Sequence, residues 1–365
     1  KRGKNDRQIQ YSTRMKKWKA PAGPTGGIPV CQRRNLWYNT LKPNRADPRR
    51  PCRRNHRKVI GMIEQVTIVG MGALGILYGD RLSRYLGADH VRFLAAGERL
   101  ERYRREGAWC NGKKCAFQFS DGTDGEAQLL IFAVKAPALE EAIALAAPCV
   151  GEETVVLSVL NGVTSEETLS QAFGPEKVLY AVAQGMDAVR EDNRLTCTQE
   201  GTLFLGVPEE DYFDRGDKLE AVWSLFRQAG VDARKEADIL HRMWCKFMLN
   251  VGVNQVCMAY ACGYGGVQAP GPARDTMIAA MNEARKVGAC QGVLVTQKDL
   301  REYVAVLDSL NPEAMPSMRQ DALAHRPSEV ELFAGTVIQL AEFYGMQVPV
   351  NRALYQTIKE METNW

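Results

Sequence analysis

From Gln65 onward, short apolar runs alternate with stretches whose apolar residues recur at helical spacing. Gln65-Val66-Thr67-Ile68-Val69 is a β-rich run. Leu74, Leu77, Leu82, Tyr85 and Leu86 follow near the helical period, and Gly87 is placed to end that helix. Val91 to Ala95 predicts a second strand. Leu129 to Val134 is apolar throughout, the pattern of a strand buried on both faces. Thr154 to Leu160 predicts another strand, and a helical stretch separates the two. Leu195–Thr198 and Thr202–Gly206 are expected as two antiparallel strands that finish the sheet. From about Ile239 the pattern turns helical, and Met243 to Asn254 is apolar nearly all round. The chain therefore predicts an α/β domain followed by a mostly α-helical one.

The first strand runs directly into Gly70-Met71-Gly72-Ala73-Leu74-Gly75, and a helix follows. That strand-to-helix context is what a GxGxxG turn needs to hold a dinucleotide. The first glycine allows the tight turn, the second lets the backbone approach a pyrophosphate, and the third lets helix pack on strand. The reading is a Rossmann domain with Gly70 to Gly75 binding the cofactor. No acid stands at the end of the second strand to hold a ribose diol. Glu98 comes slightly later, followed by Arg99, Arg102, Arg104 and Arg105. That cluster suits a 2′-phosphate, so NADPH is expected with Arg99 as a contact, and NADH is left open. Charge runs of this kind are also common on solvated helix faces. Lys135 and Asn161 follow the next two strands, on the rim where parallel sheets bind ligands.

In the helical half, Lys246, Asn250 and Asn254 interrupt an apolar helix at i, i+4 and i+8. That spacing puts them in one polar stripe. Buried polar groups need partners, and a substrate is one candidate partner. A second polar group follows at Ser317-Met318-Arg319-Gln320-Asp321. Ser317 is also placed to N-cap a helix, with Gln320 at the capping-box position. Glu329 begins the apolar run to Gly335, which reads as the start of a long helix, where an acid is equally at home.

Composition adds an asymmetry. The chain has 365 residues and a net charge of +4. Residues 1–60 hold 18 Lys and Arg against two Asp, a net +16, and the remainder is acidic. Six prolines and no regular periodicity make residues 1–61 an expected disordered basic extension. It also reads as upstream sequence translated from a wrong start just before Met62. Residues 62–236 are then the dinucleotide domain, and 237–365 the substrate-binding and catalytic domain. No apolar run is long enough to span a bilayer, and no signal-peptide pattern leads the chain, so no membrane partner is expected. The ten cysteines show no CxxC pair and read as free thiols in a reducing cytoplasm, with no metal site expected. The basic segment has few aromatics, and no nucleic-acid partner is expected. A homodimer is left open.

Taken together these motifs resemble the ketopantoate reductase family, within the 6-phosphogluconate-dehydrogenase-like group. The matching pieces are GMGALG at 70–75, VKA at 134–136, LNG at 160–162, KFMLNVGVN at 246–254, SMRQD at 317–321 and EVELFAG at 329–335. The resemblance implies NADPH-dependent reduction of 2-dehydropantoate, a small 2-keto acid, to (R)-pantoate for pantothenate synthesis. It implies Lys246 as the catalytic lysine and Glu329 as its partner. Asn250, Asn254 and Ser317 would hold substrate, and Lys135 and Asn161 would line the nicotinamide side, Asn161 also touching substrate. Two places depart from the family. Ala96 stands where an arginine often meets the 2′-phosphate, and the loop from Tyr264 to Gly271 differs. The alternatives are a related NAD(P)-dependent dehydrogenase of another keto or hydroxy acid, and a non-catalytic NAD(P)-binding protein.

Overall fold

The computed structural model describes residues 61–365, so the extension expected over 1–61 falls, but for Gly61, outside the described residues. The described chain forms two compact units, one ending at Met243 and the other running from Trp244 to Trp365. Among the described residues no helix is long and apolar enough to cross a membrane.

The strands of the first unit are β1 (Val66–Val69), β2 (Val91–Leu94), β3 (Trp109–Cys110), β4 (Lys113–Lys114), β5 (Gln118–Ser120), β6 (Leu129–Phe132), β7 (Val155–Ser158), β8 (Val178–Gln184), β9 (Asp187–Glu191), β10 (Arg194–Gln199), β11 (Thr202–Gly206) and β12 (Ala233–Lys235). Eight of them form one sheet in the order β12-β11-β8-β7-β6-β1-β2-β5. From β5 to β8 every pairing is parallel. The chain runs outward from β1 to β2 and β5, then returns to β6 on the other side of β1. The end of β1 is thus the point where strand order reverses, the place where open α/β sheets hold ligands.

Strand alternation explains the two-sided burial. Leu129 and Ile131 join a core with Ile76, Leu77 and Leu82 of α1 (Ala73–Leu86). Leu130 and Phe132 join the opposite core with Ala142 of α3 (Leu139–Ala146) and Leu169 of α4 (Ser165–Phe173). Helix α2 (Gly97–Glu106) follows β2, and α5 (Tyr212–Gln228) adds Leu219, Val222 and Phe226 to the first core.

The expected closing hairpin is not formed. Thr202–Gly206 joins the main sheet, antiparallel to β8 and parallel to β12. Residues 194–199 go instead to a separate sheet of order β4-β3-β10-β9. Gly201 sits between them at φ 66°, where an added Cβ would lie 2.3 Å from the Gln184 carbonyl oxygen, so the chain turns sharply there. β10 buries only Leu195 and Cys197 and leaves its other face exposed, while Leu203 and Leu205 enter the main core. Both segments alternate, and alternation does not say which sheet a strand joins.

The second unit is helical. It holds most of α6 (Ile239–Ala259), then α7 (Gly265–Gln268), α8 (Pro272–Cys290), α9 (Gln297–Asp308), α10 (Ser317–Leu323), α11 (Thr336–Phe343) and α12 (Pro349–Thr363). The long helix expected from Glu329 is interrupted: residues 331–335 form a π-helical turn before α11. Apolar spacing on either side satisfies a helix, so periodicity alone does not reveal the widened turn. A buried polar network ties α6, α8 and α12. Gln255 Nε2 donates to Asn351 Oδ1 at 3.3 Å, and Asn351 Nδ2 donates to Glu283 Oε2 at 2.9 Å. Glu283 also accepts from the amides of Val350 and Asn351. Burial raises the Glu283 carboxyl above the usual range against the pull of these donors.

Candidate active-site elements

In the first unit the candidate site is built from backbone. Gly70 has φ +102°, and a Cβ there would lie 2.6 Å from the Ala133 carbonyl oxygen. A Cβ on Gly75 would lie 2.1 Å from the Gly70 carbonyl oxygen, so α1 packs as close to the turn as chain geometry allows. At Gly72, which N-caps α1 without a side-chain cap, a Cβ would lie 3.2 Å from the Ala133 oxygen. Met71 is buried, and Ala73 and Leu74 pack against the core. The turn therefore offers the helix's first-turn amides, which by helix geometry have no intrahelical acceptor. A cradle of glycines at a strand end, closed to side chains and ending in free amides, fits a pyrophosphate.

Arg190 of β9 was invisible to sequence reasoning, because β9 carries no clear apolar alternation. Its Nη1 donates to the Met71 carbonyl oxygen at 2.9 Å, holding the turn from outside. Lys135 is exposed and precedes a short 3-10 turn after β6. Asn161 is partly buried just after β7 and is followed by Gly162 at φ +97°. β6 and β7 are neighbours in parallel register, with Phe132 beside Ser158, so both residues follow adjacent strand ends.

The arginine cluster resolves into unlike members. Arg104 pairs with Glu101 at 3.0 Å and Arg105 with Glu106 at 2.7 Å, as on a solvated helix face. Arg102 lies over the Tyr103 ring. Arg99 is exposed, and its nearest acid, Glu141, is 4.0 Å away. Ala96 N-caps α2 and is exposed, as is Glu98.

In the second unit the candidate site is built from side chains. Asn254 is buried on α6. Its Nδ2 donates to Asn250 Oδ1 at 3.2 Å, and its Oδ1 accepts from Ser317 Oγ at 3.1 Å and from the Met318 amide at 3.2 Å. Ser317 does not act as the N-cap that its position suggested. Pro316 holds that place, and Gln320 Nε2 turns to the Met315 carbonyl oxygen at 3.0 Å. The structure thus brings Asn250, Asn254 and Ser317 into one hydrogen-bonded chain. Lys246 is partly buried one turn before Asn250 on the same helix. Glu329 is partly buried immediately before the helix that begins at Val330. The elements carrying these two residues pack together, the Phe247 and Phe333 rings lying 6.3 Å apart between centroids.

Comparison with known proteins follows the same two halves. Residues 66–210 match the family described as Ketopantoate reductase PanE/ApbA, and residues 238–362 match its C-terminal partner, Ketopantoate reductase PanE/ApbA C terminal. A 2-dehydropantoate 2-reductase of Vibrio cholerae is 26% identical over 239 residues, covering 66% of this chain and 79% of the relative. One of Archaeoglobus fulgidus is 28% identical over 303 residues, covering 82% of this chain and 99% of the relative. Among solved structures, a D-mandelate dehydrogenase with NADH and anilino(oxo)acetate superposes with a TM-score of 0.73 at 21% identity, covering 82% of this chain and 99% of that one. With both halves matched in order, the chain belongs to the ketopantoate reductase family.

Proposed function

We propose that the chain reduces 2-dehydropantoate to (R)-pantoate, taking hydride from NADPH. The observation that carries this reading is the hydrogen-bonded chain that runs from Asn250 and Asn254, on the helix that also bears Lys246, to Ser317 on α10. Gly70 to Gly75 hold the pyrophosphate through backbone amides, and Arg99 meets the 2′-phosphate. Lys135 and Asn161 flank the nicotinamide. When bound, the dinucleotide supplies the hydride. Lys246 donates the proton that the developing alkoxide takes up and stabilises that charge beforehand. Glu329 keeps Lys246 protonated and oriented, since a nearby carboxylate favours the ammonium. Asn250 and Asn254 grip the substrate hydroxyl, Ser317 meets its carboxylate, and Asn161 touches both ligands. The domain division at about 237, a homodimer and a cytoplasmic location belong to the same proposal.

One observation favours a second reading. Ala96 offers no guanidinium at the place where the family often has one, and a structural neighbour named D-mandelate dehydrogenase was solved with NADH. In that reading the substrate is another 2-keto acid and the donor is NADH. The deciding experiment follows dinucleotide oxidation with 2-dehydropantoate and benzoylformate, each with NADPH and with NADH. The proposal expects the highest kcat/KM for 2-dehydropantoate with NADPH. Higher values for benzoylformate or NADH select the second reading, and no oxidation with any pair points to a non-catalytic dinucleotide-binding protein.

A further inference from the structure

Helix α6 does not end in a simple frayed turn. Ala261 takes a left-handed backbone at φ 54°, and the Cys262 amide donates back to the Cys257 carbonyl oxygen at 3.0 Å. This is the six-to-one closure that brings a residue of the last helical turn against the residue just past the helix. Here both residues are cysteines. A disulfide needs Cα atoms about 4.4–6.8 Å apart, and a direct backbone hydrogen bond between the two residues keeps them that close. Cys257 is fully buried, and its thiol donates to the Gly263 carbonyl oxygen at 3.6 Å. Cys262 is partly buried. A Cβ on Gly266 would lie 2.6 Å from Cys262 Sγ, so the glycine keeps room for that sulfur.

A cation lies within electrostatic reach of the pair. The Nε and Nη1 of Arg319 are buried and have no hydrogen-bond partner among the described residues. Buried N–H donors left without an acceptor are costly unless an anion answers them. Burial lowers the Arg319 guanidinium, and Cys262 and Cys257 act against that. The neighbouring Cys257 thiol holds the Cys262 thiol below its ordinary range against burial, and Arg319 adds to that effect. Cys257 is pushed up by the same partnership and by burial. Cys110, Cys115, Cys149 and Cys197 are all pushed up by burial, Cys110 to about 11.

The geometry points to an oxidisable dithiol site at Cys257 and Cys262, which hydrogen peroxide converts to an intramolecular disulfide, with Arg319 holding the attacking thiolate. Cys262 sulfur attacks a peroxide oxygen. The S–O bond forms as the O–O bond breaks, leaving a sulfenic acid and a hydroxide that is protonated to water. Cys257 sulfur then attacks Cys262 sulfur. The S–S bond forms, the S–O bond breaks, and the hydroxyl leaves as a second water with the Cys257 proton. The two sulfurs together give up two electrons, and the peroxide takes them. This chemistry is separate from carbonyl reduction and does not depend on it.

The test uses the full chain, reduced, and needs no substrate. Iodoacetamide labelling followed by peptide mass should show Cys262 alkylated several-fold faster than the partly buried Cys290, because the thiolate is the reacting form. Hydrogen peroxide should remove two hydrogens from the peptide spanning 257–262 before any other cysteine changes. Cys257→Ser should stop the reaction at a Cys262 sulfenic acid that dimedone captures. Arg319→Leu should slow Cys262 labelling measurably, and Arg319→Lys should restore it. Labelling of Cys262 no faster than Cys290 in the unaltered chain, or peroxide treatment that leaves no link within 257–262, overturns the proposal.

Discussion

The glycine turn and the polar stripe of α6 offer a ligand different kinds of atom. At the turn the side chains of Met71 and Leu74 go to the core, and what faces outward is backbone. On α6 the helix is buried nearly all round, and side-chain amides carry the polar contacts from Asn250 through Asn254 to Ser317. The two sites therefore fail in opposite ways. The turn is damaged by adding an atom, because Gly70 and Gly75 have no room for a Cβ. The stripe is damaged by removing one, because each amide there answers another.

The sharpest way to break the contrast is Lys246→Ala. It should lower turnover by roughly 10²–10⁴, the span of a proton-transfer group, and leave the equilibrium Kd for dinucleotide unchanged. A Kd that rises with the loss of turnover would move Lys246 into cofactor binding. Gly75→Ala should do the reverse. Its Cβ must push the Gly70 carbonyl aside, a strain of about 1–3 kcal/mol, so dinucleotide Kd should rise by up to about a hundredfold in fluorescence titration. Asn254→Ala strips the acceptor from both Ser317 and the Met318 amide. An orphaned donor costs about 1–3 kcal/mol, and KM for the keto acid should rise roughly tenfold while dinucleotide Kd holds.

The smallest effect concerns pH and scaffold. Burial raises the Glu283 carboxyl, so the folded state favours its protonated form. That contribution is fully present below the unfolded value, about pH 4.3, and is lost as pH rises through the higher folded value. Glu283→Gln should flatten the fall of Tm with pH across this window, without touching either ligand site. An unchanged slope would assign the pH dependence elsewhere.

The same contrast governs what was legible in the sequence. A turn made of backbone needs glycines at set intervals after a strand, so Gly70, Gly72 and Gly75 announced themselves. The stripe was legible because Lys246, Asn250 and Asn254 interrupt an apolar helix at helical spacing. What sequence could not supply was long-range choice. Ser317 was equally placed to cap α10 or to reach Asn254, and only tertiary packing selected the second. Arg190 reaches the Met71 carbonyl across a separate small sheet that has no short-range signature. β10 left the main sheet for that second sheet because pairing partners, unlike alternation, are non-local. The Cys257–Cys262 pair depends on a left-handed Ala261, a conformation no pattern of residue types at that point predicts.

The central claim of the proposed function is hydride transfer from a nicotinamide dinucleotide to a 2-keto acid. It is tested most directly by following the hydride. With NADPH deuterated at the transferring position of the nicotinamide, the 2-hydroxy acid product should carry deuterium at its carbinol carbon, and the solvent should carry none. A product whose carbinol hydrogen comes from solvent, or no product with any 2-keto acid, would contradict the account.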